Sequence, residues 1–308
     1  MAIYNSIEQL IGNTPMLELK NIKKKYNLKA NIYAKLEYFN PAGSVKDRVG
    51  RAMLIDAEEK GVLKPGSVII EPTSGNTGIG IAAVAAVKGY RAVIVMPETM
   101  SEERKKLMKA YGAELVLTDG AKGMAGAIEK AEELAKEIPD SFIAGQFVNP
   151  ANAAAHFNTT GPEIYADLGE SIDFFVAGVG TGGTVTGTGK FLKSKIKDIT
   201  IVGVEPAASA VLSGKAKGAH GIQGIGAGFI PDVLDTAVLD EIVTVSDEDA
   251  FRIAKDNGKT EGFLIGISSG AALYAAIELG KSAENEGKNI VVILPDSGDR
   301  YLSTTLYD

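Results

Sequence analysis

A lysine in an apolar setting is the residue of this sequence that most directly suggests chemistry. Lys46 follows a turn of Asn, Pro, Ala, Gly and Ser, and a helix is predicted to start there. At helical spacing from it, three apolar or small residues form one stripe: Val49, Gly50 and Met53. Burial and the positive end of a helix dipole both lower the pKa of an amine, so Lys46 would be a free nucleophile or base. A lysine whose stem lies along the stripe while its charge stays in water fits the same pattern.

Capping residues predict where that helix begins. Ser44 is placed to act as N-cap, and Asp47 stands three residues later to complete a capping box. Asp47, Arg48 and Arg51 fall to the sides of the apolar stripe. We therefore expect Lys46 to be the one charged residue of this helical turn that lies on the stripe itself.

A second polar loop lies between a predicted strand, Val68–Glu71, and a helix predicted to begin near Gly78. Hydroxyl, amide and glycine residues fill it: Thr73, Ser74, Gly75, Asn76 and Thr77. Together with the N–H groups of a helix start, these side chains could bind a carboxylate or a phosphate. The same residue types also serve as ordinary capping and turn residues, so this loop alone leaves both interpretations open.

A glycine-rich loop over residues 178–187 (GVGTGGTVTG) follows the predicted strand Phe174–Ala177. Its position before a helix is typical of a backbone cradle for phosphate. The loop also satisfies the dinucleotide fingerprint, with glycines at Gly178, Gly180 and Gly183. Glu205, at the end of the next predicted strand, has the spacing of the acid that binds a ribose. A NAD-dependent dehydrogenase is therefore an alternative, and a phosphate ligand is common to both interpretations.

Two further segments are rich in glycine. Residues 266–272 (GISSGAA) open a helix of small residues, where Ser268 could face a polar atom of a ligand or simply cap the helix. Residues 221–228 (GIQGIGAG) are flexible enough to border or close a cleft, and they equally suit a plain connection. The two histidines receive no catalytic role: we expect His156 to make structural hydrogen bonds and His220 to border the cleft.

Strands and helices alternate from Ser67 onward, which predicts βαβ units and a parallel sheet. Buried strands are predicted at seven places: Val68–Glu71, Ala92–Met96, Glu114–Leu117, Phe174–Ala177, Thr200–Val204, Glu241–Val245 and Ile290–Leu294. Since helical patterns separate most of them, we expect an α/β protein.

Two serines are predicted to cap helices in this alternation. Ser246 opens a helix that runs to about Lys259, and Ser101 opens one that ends near Gly112. The segment 149–152 (NPAN) interrupts the pattern, which then restarts, so we expect a domain crossing there. Two α/β lobes facing a cleft are the simplest architecture.

The loops, in this order, resemble those of the β family (fold type II) of pyridoxal phosphate enzymes. Further matching strings extend the resemblance over nearly the whole chain: 11–15 (IGNTP), 145–147 (GQF), 149–152 (NPAN), 159–164 (TTGPEI), 224–231 (GIGAGFIP) and 295–302 (PDSGDRYL). The chain departs from the family pattern at Ala153, where a second proline is usual, and at Gly221, where a basic residue is common. The first departure concerns the local backbone, and the second weakly favours acetate over phosphate as the leaving group.

The resemblance implies a tryptophan synthase β-like fold. It has two three-layer α/β lobes with mostly parallel sheets, and the cofactor lies in the cleft between them. The smaller, mobile domain would span 45–150 and carry the loop for the substrate carboxylate. The larger domain would comprise 1–44 plus 151–308 and carry the phosphate loop.

The resemblance also implies the role of each site residue. Lys46 would be the catalytic lysine and would bind pyridoxal 5'-phosphate as an internal aldimine. Asn76 would hydrogen-bond the ring hydroxyl of the cofactor, and Ser268 would face its pyridine nitrogen. The cofactor phosphate would be held by the loop residues Gly180, Thr181, Gly182, Gly183 and Thr184. The substrate carboxylate would be held by Thr73, Ser74, Gly75, Thr77 and Gln146.

The implied reaction is a β-replacement that makes L-cysteine and acetate from O-acetyl-L-serine and sulfide through an α-aminoacrylate intermediate. Lys46 would take the Cα proton and later return it. A neutral serine hydroxyl cannot hold the pyridine nitrogen protonated as an aspartate would, so the ring is a weaker electron sink. This favours β-elimination over racemisation or transamination, and a two-step, ping-pong pattern is expected.

Alternatives remain within and outside the family. A cystathionine β-synthase-type enzyme would use homocysteine or another thiol, and an O-phosphoserine-using enzyme would need a cation that His220 alone could supply. A catalytically silent scaffold would not need to keep Lys46, Asn76 and Ser268 together. The family further implies a homodimer and, in some members, binding of the C-terminal tail of serine acetyltransferase in the active-site cleft.

Composition narrows the class of protein. The 308 residues carry a net charge of −7, which gives no basic surface for nucleic acid. The absence of cysteine excludes disulfides and thiolate chemistry, and two histidines are too few for a histidine-rich metal site. The first residues lack a signal-peptide pattern, and the longest apolar stretch, Ile79–Val87, ends at Lys88. We therefore expect a cytoplasmic protein with small-molecule partners, no membrane segment and no metal.

Overall fold

The structure, a computed structural model, describes residues 3–308. Its strands are β1 Met16–Glu18, β2 Asn31–Leu36, β3 Val68–Pro72, β4 Arg91–Pro97, β5 Glu114–Thr118, β6 Ser141–Ile143, β7 Phe174–Gly178, β8 Thr200–Pro206, β9 Glu241–Val245 and β10 Asn289–Leu294. Its α-helices are α1 Lys20–Tyr26, α2 Lys46–Glu59, α3 Asn76–Lys88, α4 Glu102–Ala110, α5 Gly123–Glu137, α6 Ala151–Ala155, α7 Gly161–Leu168, α8 Gly183–Lys195, α9 Asp247–Glu261 and α10 Ile267–Lys281. One π-helical turn, His156–Thr160, joins α6 to α7.

Short 3₁₀ turns complete the described elements. They lie at Ile7–Leu10, Glu37–Phe39, Gly120–Lys122, Gly169–Ser171, Ala207–Ser209, Thr236–Val238, Ala283–Asn285, Gly298–Tyr301 and Thr305–Tyr307. None of the helices between residues 3 and 308 is long and apolar enough to cross a membrane.

The chain divides into two units. Unit 1 comprises the residues up to Ile11 together with Asn40–Asn152, and unit 2 comprises Gly12–Phe39 together with Ala153–Asp308. Each unit is built on its own sheet, so the expected mixed α/β class with parallel sheets is confirmed.

Unit 1 contains a four-stranded parallel sheet in the order β5-β4-β3-β6. Alternate residues of its strands point to opposite faces, because side chains alternate along a strand. Ile69 of β3 packs with residues of α2 and α3 on one face, whereas Ile70 packs with Ala127 and Ala131 of α5 on the other. Both faces are covered, which explains why β3 and β4 are apolar at nearly every position.

Unit 2 contains a six-stranded sheet in the order β1-β2-β10-β7-β8-β9. Only the β1–β2 pair is antiparallel among these described strands. Val292 of β10 lies in a core cluster with α10, and Val291 lies in the opposite cluster with residues of α7 and α8. β10 pairs with both β2 and β7, so the last strand of the sequence lies inside the sheet.

The two predicted serine caps have different outcomes. Ser246 is confirmed, because its Oγ accepts a hydrogen bond of 3.1 Å from the N–H of Asp249 at the start of α9. Ser101 is wrong as a side-chain cap: α4 starts after it, but its buried hydroxyl has no hydrogen-bond partner in the part of the chain that is described. A base, Arg104, stands where a capping box needs an acid.

Candidate active site

Lys46 is the first residue of α2, as predicted, but the cap around it differs from the predicted box. Ser44 Oγ accepts a hydrogen bond of 3.2 Å from the Lys46 N–H. The Asp47 carboxylate accepts one of 2.6 Å from the N–H of Ala42 rather than from Ser44. Val45 already has helical backbone angles, as expected for the residue that follows an N-cap at Ser44.

The two charged residues that follow Lys46 are buried. Asp47 is 1% exposed and Arg48 is 3% exposed, which their positions at the sides of the apolar stripe do not indicate. The apolar stripe follows from helical spacing alone and takes no account of other segments that pack against the helix. In the structure the preceding turn folds back on the first turn of α2, as the hydrogen bond from the Ala42 N–H to the Asp47 carboxylate shows.

Two glycines bring α2 and α3 into backbone contact. A Cβ on Gly80 would lie 2.6 Å from the carbonyl oxygen of Lys46, and a Cβ on Gly50 would lie 3.0 Å from the backbone of Gly80. No side chain fits in either place, so both positions need glycine for close approach. This contact sets the start of α2 against the first turns of α3, and therefore Lys46 near the loop that precedes α3.

Burial changes the acid–base behaviour of Lys46. It lowers the pKa of the Lys46 amine to about 8, in the direction expected for a charged group removed from water. An amine with this pKa is neutral far more often near pH 7 than an ordinary lysine. The local environment therefore prepares Lys46 to act as a nucleophile or base.

The polar loop of unit 1 is shorter than predicted, because α3 begins at Asn76 instead of near Gly78. Within it, Thr73 Oγ1 accepts a hydrogen bond of 3.4 Å from the Gly75 N–H. Gly75 itself is extended, and a Cβ on it would meet no atom within 4 Å. Asn76 thus occupies the first helical position, at the positive end of a thirteen-residue helix.

Gln146 reaches the same loop from beyond the end of the neighbouring strand, β6. Its Oε1 accepts a hydrogen bond of 2.6 Å from the hydroxyl of Thr77. Both side chains are buried, and the bond joins the start of α3 to the segment after β6. The structure thus brings together two of the residues predicted to hold a substrate carboxylate.

Glu71 is a buried residue of this region that the sequence analysis missed as a candidate. Its carboxylate accepts hydrogen bonds of 2.7 Å from the Gly145 N–H and 3.3 Å from the Gln146 N–H. Burial raises the pKa of Glu71 to about 7, although these hydrogen bonds act in the opposite direction. An acid at the end of an otherwise apolar strand was the signal available in the sequence.

In unit 2 the glycine-rich loop joins β7 to α8. A Cβ on Gly180 would lie 2.3 Å from the carbonyl oxygen of Gly224, and Gly182 has a φ of +84°. Thr181 Oγ1 accepts a hydrogen bond of 3.4 Å from the Gly183 N–H. The loop therefore has the close backbone approach and the left-handed residue that a phosphate cradle requires.

This loop fits the phosphate group of a cofactor. It ends at the N-terminus of α8, a helix of thirteen residues whose first turn contains Gly183 and Thr184. The helix dipole and the N–H groups of that turn favour an anion. Its residues are small, so no bulky side chain stands over the backbone N–H groups, and threonine hydroxyls at 181 and 184 can add donors.

Ser268 lies in the first turn of α10 and is buried. A Cβ on Gly224 would lie 3.4 Å from its hydroxyl oxygen, and the same Gly224 carbonyl crowds Gly180. Gly224 thus places Ser268 and the phosphate loop on the same side of unit 2. Two of the predicted cofactor-binding elements are therefore neighbours.

His156 makes the structural hydrogen bonds expected of it. Its Nδ1 lies 2.9 Å from Thr160 Oγ1 and its Nε2 lies 3.2 Å from Thr184 Oγ1. It begins the π-helical turn, and a Cβ on Gly187 would lie 2.0 Å from the carbonyl oxygen of Ala153. The turn and α8 are therefore packed tightly, with His156 contacting a residue of the phosphate loop.

The glycine loop at 221–228 is attached to its surroundings at several points. The Gly221 N–H donates a hydrogen bond of 2.5 Å to Asp247 Oδ2, and His220 Nε2 lies 3.0 Å from the carbonyl oxygen of Gly226. Gly226 in turn donates a 3.0 Å hydrogen bond to the carbonyl oxygen of Val179. These bonds place the segment beside the phosphate loop.

The carboxylate of Glu205 is hydrogen-bonded to other residues of unit 2. Its carboxylate accepts hydrogen bonds from the Leu212 N–H at 2.8 Å and from the N–H and hydroxyl of Ser213 at 2.9 and 2.6 Å. The dinucleotide alternative needs this carboxylate for a ribose. In the structure the Glu205 carboxylate instead accepts hydrogen bonds from Leu212 and Ser213, which argues against a dinucleotide cofactor.

Comparison with known proteins agrees with the geometry. The model of the family described as pyridoxal-phosphate dependent enzyme matches residues 7–296. A cysteine synthase of Staphylococcus aureus is 54% identical over 304 residues, which cover 98% of this chain and 97% of that protein. The crystal structure of a cysteine synthase from Entamoeba histolytica has a TM-score of 0.97 and 51% identity, over 99% of this chain and 91% of that one. An O-acetylserine-dependent cystathionine β-synthase from Helicobacter pylori has a TM-score of 0.93 and 42% identity, over 100% of both chains.

The chain belongs to the pyridoxal-phosphate dependent enzyme family. Its fold is that of fold type II, and it is an enzyme whose cofactor is pyridoxal 5'-phosphate. Family membership, together with the hydrogen bonds that occupy Glu205, decides against a dinucleotide cofactor.

Proposed function

We propose that this protein forms L-cysteine and acetate from O-acetyl-L-serine and hydrosulfide. The observation that carries the proposal is the environment of Lys46. Burial lowers the pKa of its amine to about 8, and the residue starts a helix that is packed against α3. The high similarity to cysteine synthases supports this substrate pair.

We assign a separate role to each of the residues that would bind the cofactor. The phosphate would bind at Gly180–Thr184, at the start of α8, and the ring would be held by Asn76 and Ser268. Lys46 would attach it covalently through its amine. When bound, pyridoxal phosphate withdraws electrons from the Cα of an amino acid and so acidifies the Cα proton.

The substrate carboxylate is assigned to the polar loop of unit 1. Thr73, Ser74 and Gly75 would supply hydroxyl and backbone donors at the start of α3, where the helix dipole favours an anion, and Thr77 would add its backbone N–H. Gln146 would add its amide from the segment after β6. The observed hydrogen bond between Thr77 and Gln146 supports this assignment, because it holds both side chains in one place.

Lys46 would carry the proton in both half-reactions. Once displaced by the amino group of the substrate, its amine takes the Cα proton while the Cβ–O bond breaks and acetate leaves. Hydrosulfide then forms the Cβ–S bond, and Lys46 returns the proton to Cα. The neutral hydroxyl of Ser268 suits elimination better than reactions that must store a full carbanion.

Cystathionine formation is a second candidate function. The similarity to an O-acetylserine-dependent cystathionine β-synthase supports it, since both reactions share the same first half. The two candidates differ only in the thiol that attacks Cβ. Offering hydrosulfide and homocysteine to the same preparation separates them by product.

The proposed function also includes binding partners, an oligomeric state and a cellular location. We infer small-molecule substrates, a homodimer, a cytoplasmic location and binding of a C-terminal serine acetyltransferase tail whose carboxylate mimics that of the substrate. We also propose that the 45–150 domain moves relative to 1–44 plus 151–308 when a carboxylate binds. Light scattering tests the homodimer, and competition between a tail peptide and O-acetylserine tests binding of the tail.

A visible absorption spectrum tests the proposed function. We expect the purified protein to show a band that shifts on addition of O-acetylserine and returns on addition of sulfide, with cysteine appearing. The band should be missing in Lys46→Ala, whose folding is checked by circular dichroism. A protein that binds the cofactor but leaves O-acetylserine unchanged would contradict the proposal.

A further inference from the structure

The β3–β6 pairing ends where the loops of unit 1 begin. Ile70 pairs with Ile143, and the Ala144 N–H donates a hydrogen bond of 3.1 Å to the Ile70 carbonyl oxygen. Beyond this point the Glu71 carboxylate replaces the strand backbone as acceptor, with Oε2 2.7 Å from the Gly145 nitrogen and Oε1 3.3 Å from the Gln146 nitrogen. One side chain thus continues the ladder by two hydrogen bonds.

Gln146 is held on both sides of its backbone. Its N–H is bound by Glu71, and its carbonyl oxygen accepts a hydrogen bond of 2.8 Å from Asn152 Nδ2. Gly145 before it has a φ of +68°, which turns the chain sharply after β6. With its backbone fixed in this way, the Gln146 side chain is directed at Thr77, 2.6 Å away.

We propose that Glu71 is a positioning residue for recognition of the substrate carboxylate. It holds the Gln146 backbone through its N–H and also accepts a hydrogen bond from the Gln146 side chain, so that Oε1 faces Thr77 and the second N–H of the amide is left for a carboxylate. This inference rests on the proposed function, which assigns Gln146 to substrate binding.

The chemistry of a carboxylate suits this task. It offers two acceptor oxygens to two consecutive N–H donors, whereas glutamine offers one oxygen and one NH₂ group. Glu71→Gln keeps the size of the side chain but places an NH₂ group against a backbone N–H. The substitution therefore loosens the 145–146 backbone without opening a large cavity.

The test compares the holoenzyme with its Glu71→Gln variant. Above pH 7, where Glu71 with its pKa of about 7 is mostly ionised, we expect KM for O-acetylserine to rise on the order of tenfold, as for loss of a charge-assisted hydrogen bond, while kcat changes much less. Amide hydrogen exchange of the segment 141–149 should accelerate in the variant. Glu58→Gln is the matched control, because Glu58 is a carboxylate of unit 1 bound to Lys88 and Tyr90. It should leave KM and this exchange unchanged.

A double-mutant cycle with Gln146→Ala shows whether Glu71 acts through Gln146. If it does, Glu71→Gln adds little to the rise in KM that Gln146→Ala already causes. The inference is wrong if the two substitutions raise KM by factors that multiply in the double mutant. It is also wrong if amide hydrogen exchange at 141–149 is unchanged in Glu71→Gln. If the wild-type protein makes no cysteine, the proposed function fails instead, and exchange at 141–149 still reports whether Glu71 holds that backbone.

Discussion

The hydroxyl of Thr77 donates a hydrogen bond of 2.6 Å to the side-chain oxygen of Gln146, although the two residues are 69 positions apart. Thr77 belongs to the first turn of α3, and Gln146 follows β6. The bond is buried and joins the loops at the ends of two paired strands. This bond therefore holds the start of α3 and the segment after β6 together.

Thr77→Val removes this hydrogen bond without changing the shape of the side chain. We expect KM for O-acetylserine to rise on the order of tenfold, because the buried Gln146 oxygen loses its donor. The visible band of the bound cofactor should stay as in wild type. Thr118→Val is the control, since the buried Thr118 hydroxyl has no hydrogen-bond partner among the described residues. Equal effects of the two substitutions would contradict the prediction.

Gly80→Ala should displace the start of α2. Its new Cβ would lie 2.6 Å from the Lys46 carbonyl oxygen, so the helices must separate. We expect a loss of about 1–3 kcal/mol of stability, and a fall in kcat on the order of tenfold through misplacement of Lys46. Thermal unfolding and steady-state kinetics measure both. Val87→Ala, at an exposed position of the same helix, should change kcat little.

Cofactor uptake by the apoprotein should follow the titration of Lys46. The neutral amine is the nucleophile, and its pKa is lowered to about 8 by burial. The rate of binding should therefore rise roughly tenfold per pH unit below 8 and level off above it. Stopped-flow absorbance from pH 6.5 to 10 measures it. A rate that keeps rising to pH 10 would indicate an ordinary lysine.

Glu71 should make stability depend on pH in a defined window. Its pKa is raised from 4.5 to about 7 in the folded state, so folding favours the protonated form. The contribution of Glu71 to the free energy of unfolding is fully present below pH 4.5, its pKa in the unfolded state, and is lost as the pH rises through about 7. We expect the thermal midpoint of wild type to fall relative to that of Glu71→Gln over this window. A difference between the two that is constant with pH would exclude the shift.

Much of the fold can be predicted from local sequence patterns. The seven predicted strands from Val68 onward are all present, with ends shifted by at most two residues. The other three strands, β1, β2 and β6, were not predicted. β1 and β6 have three residues each, too short for a periodic signal, whereas β2 alternates polar and apolar residues and so carries a strand signal that was overlooked.

Less of the candidate site than of the fold could be predicted from the sequence. The lysine and the polar loops were found because their residue types are unusual for their positions. Burial of Asp47 was missed, because it depends on a turn folding back over the helix. The role of Glu71 depends on hydrogen bonds to residues more than 70 positions away, which no local pattern encodes.

The position of β10 has a consequence for synthesis on the ribosome. Every strand of the unit 1 sheet has been translated by residue 143, so this sheet can form early. The unit 2 sheet cannot close until 289–294 emerges, because β10 separates β2 from β7. A nascent chain paused before that point exposes two apolar strand edges that ordinarily face β10. We expect such chains to be the form that engages chaperones or aggregates.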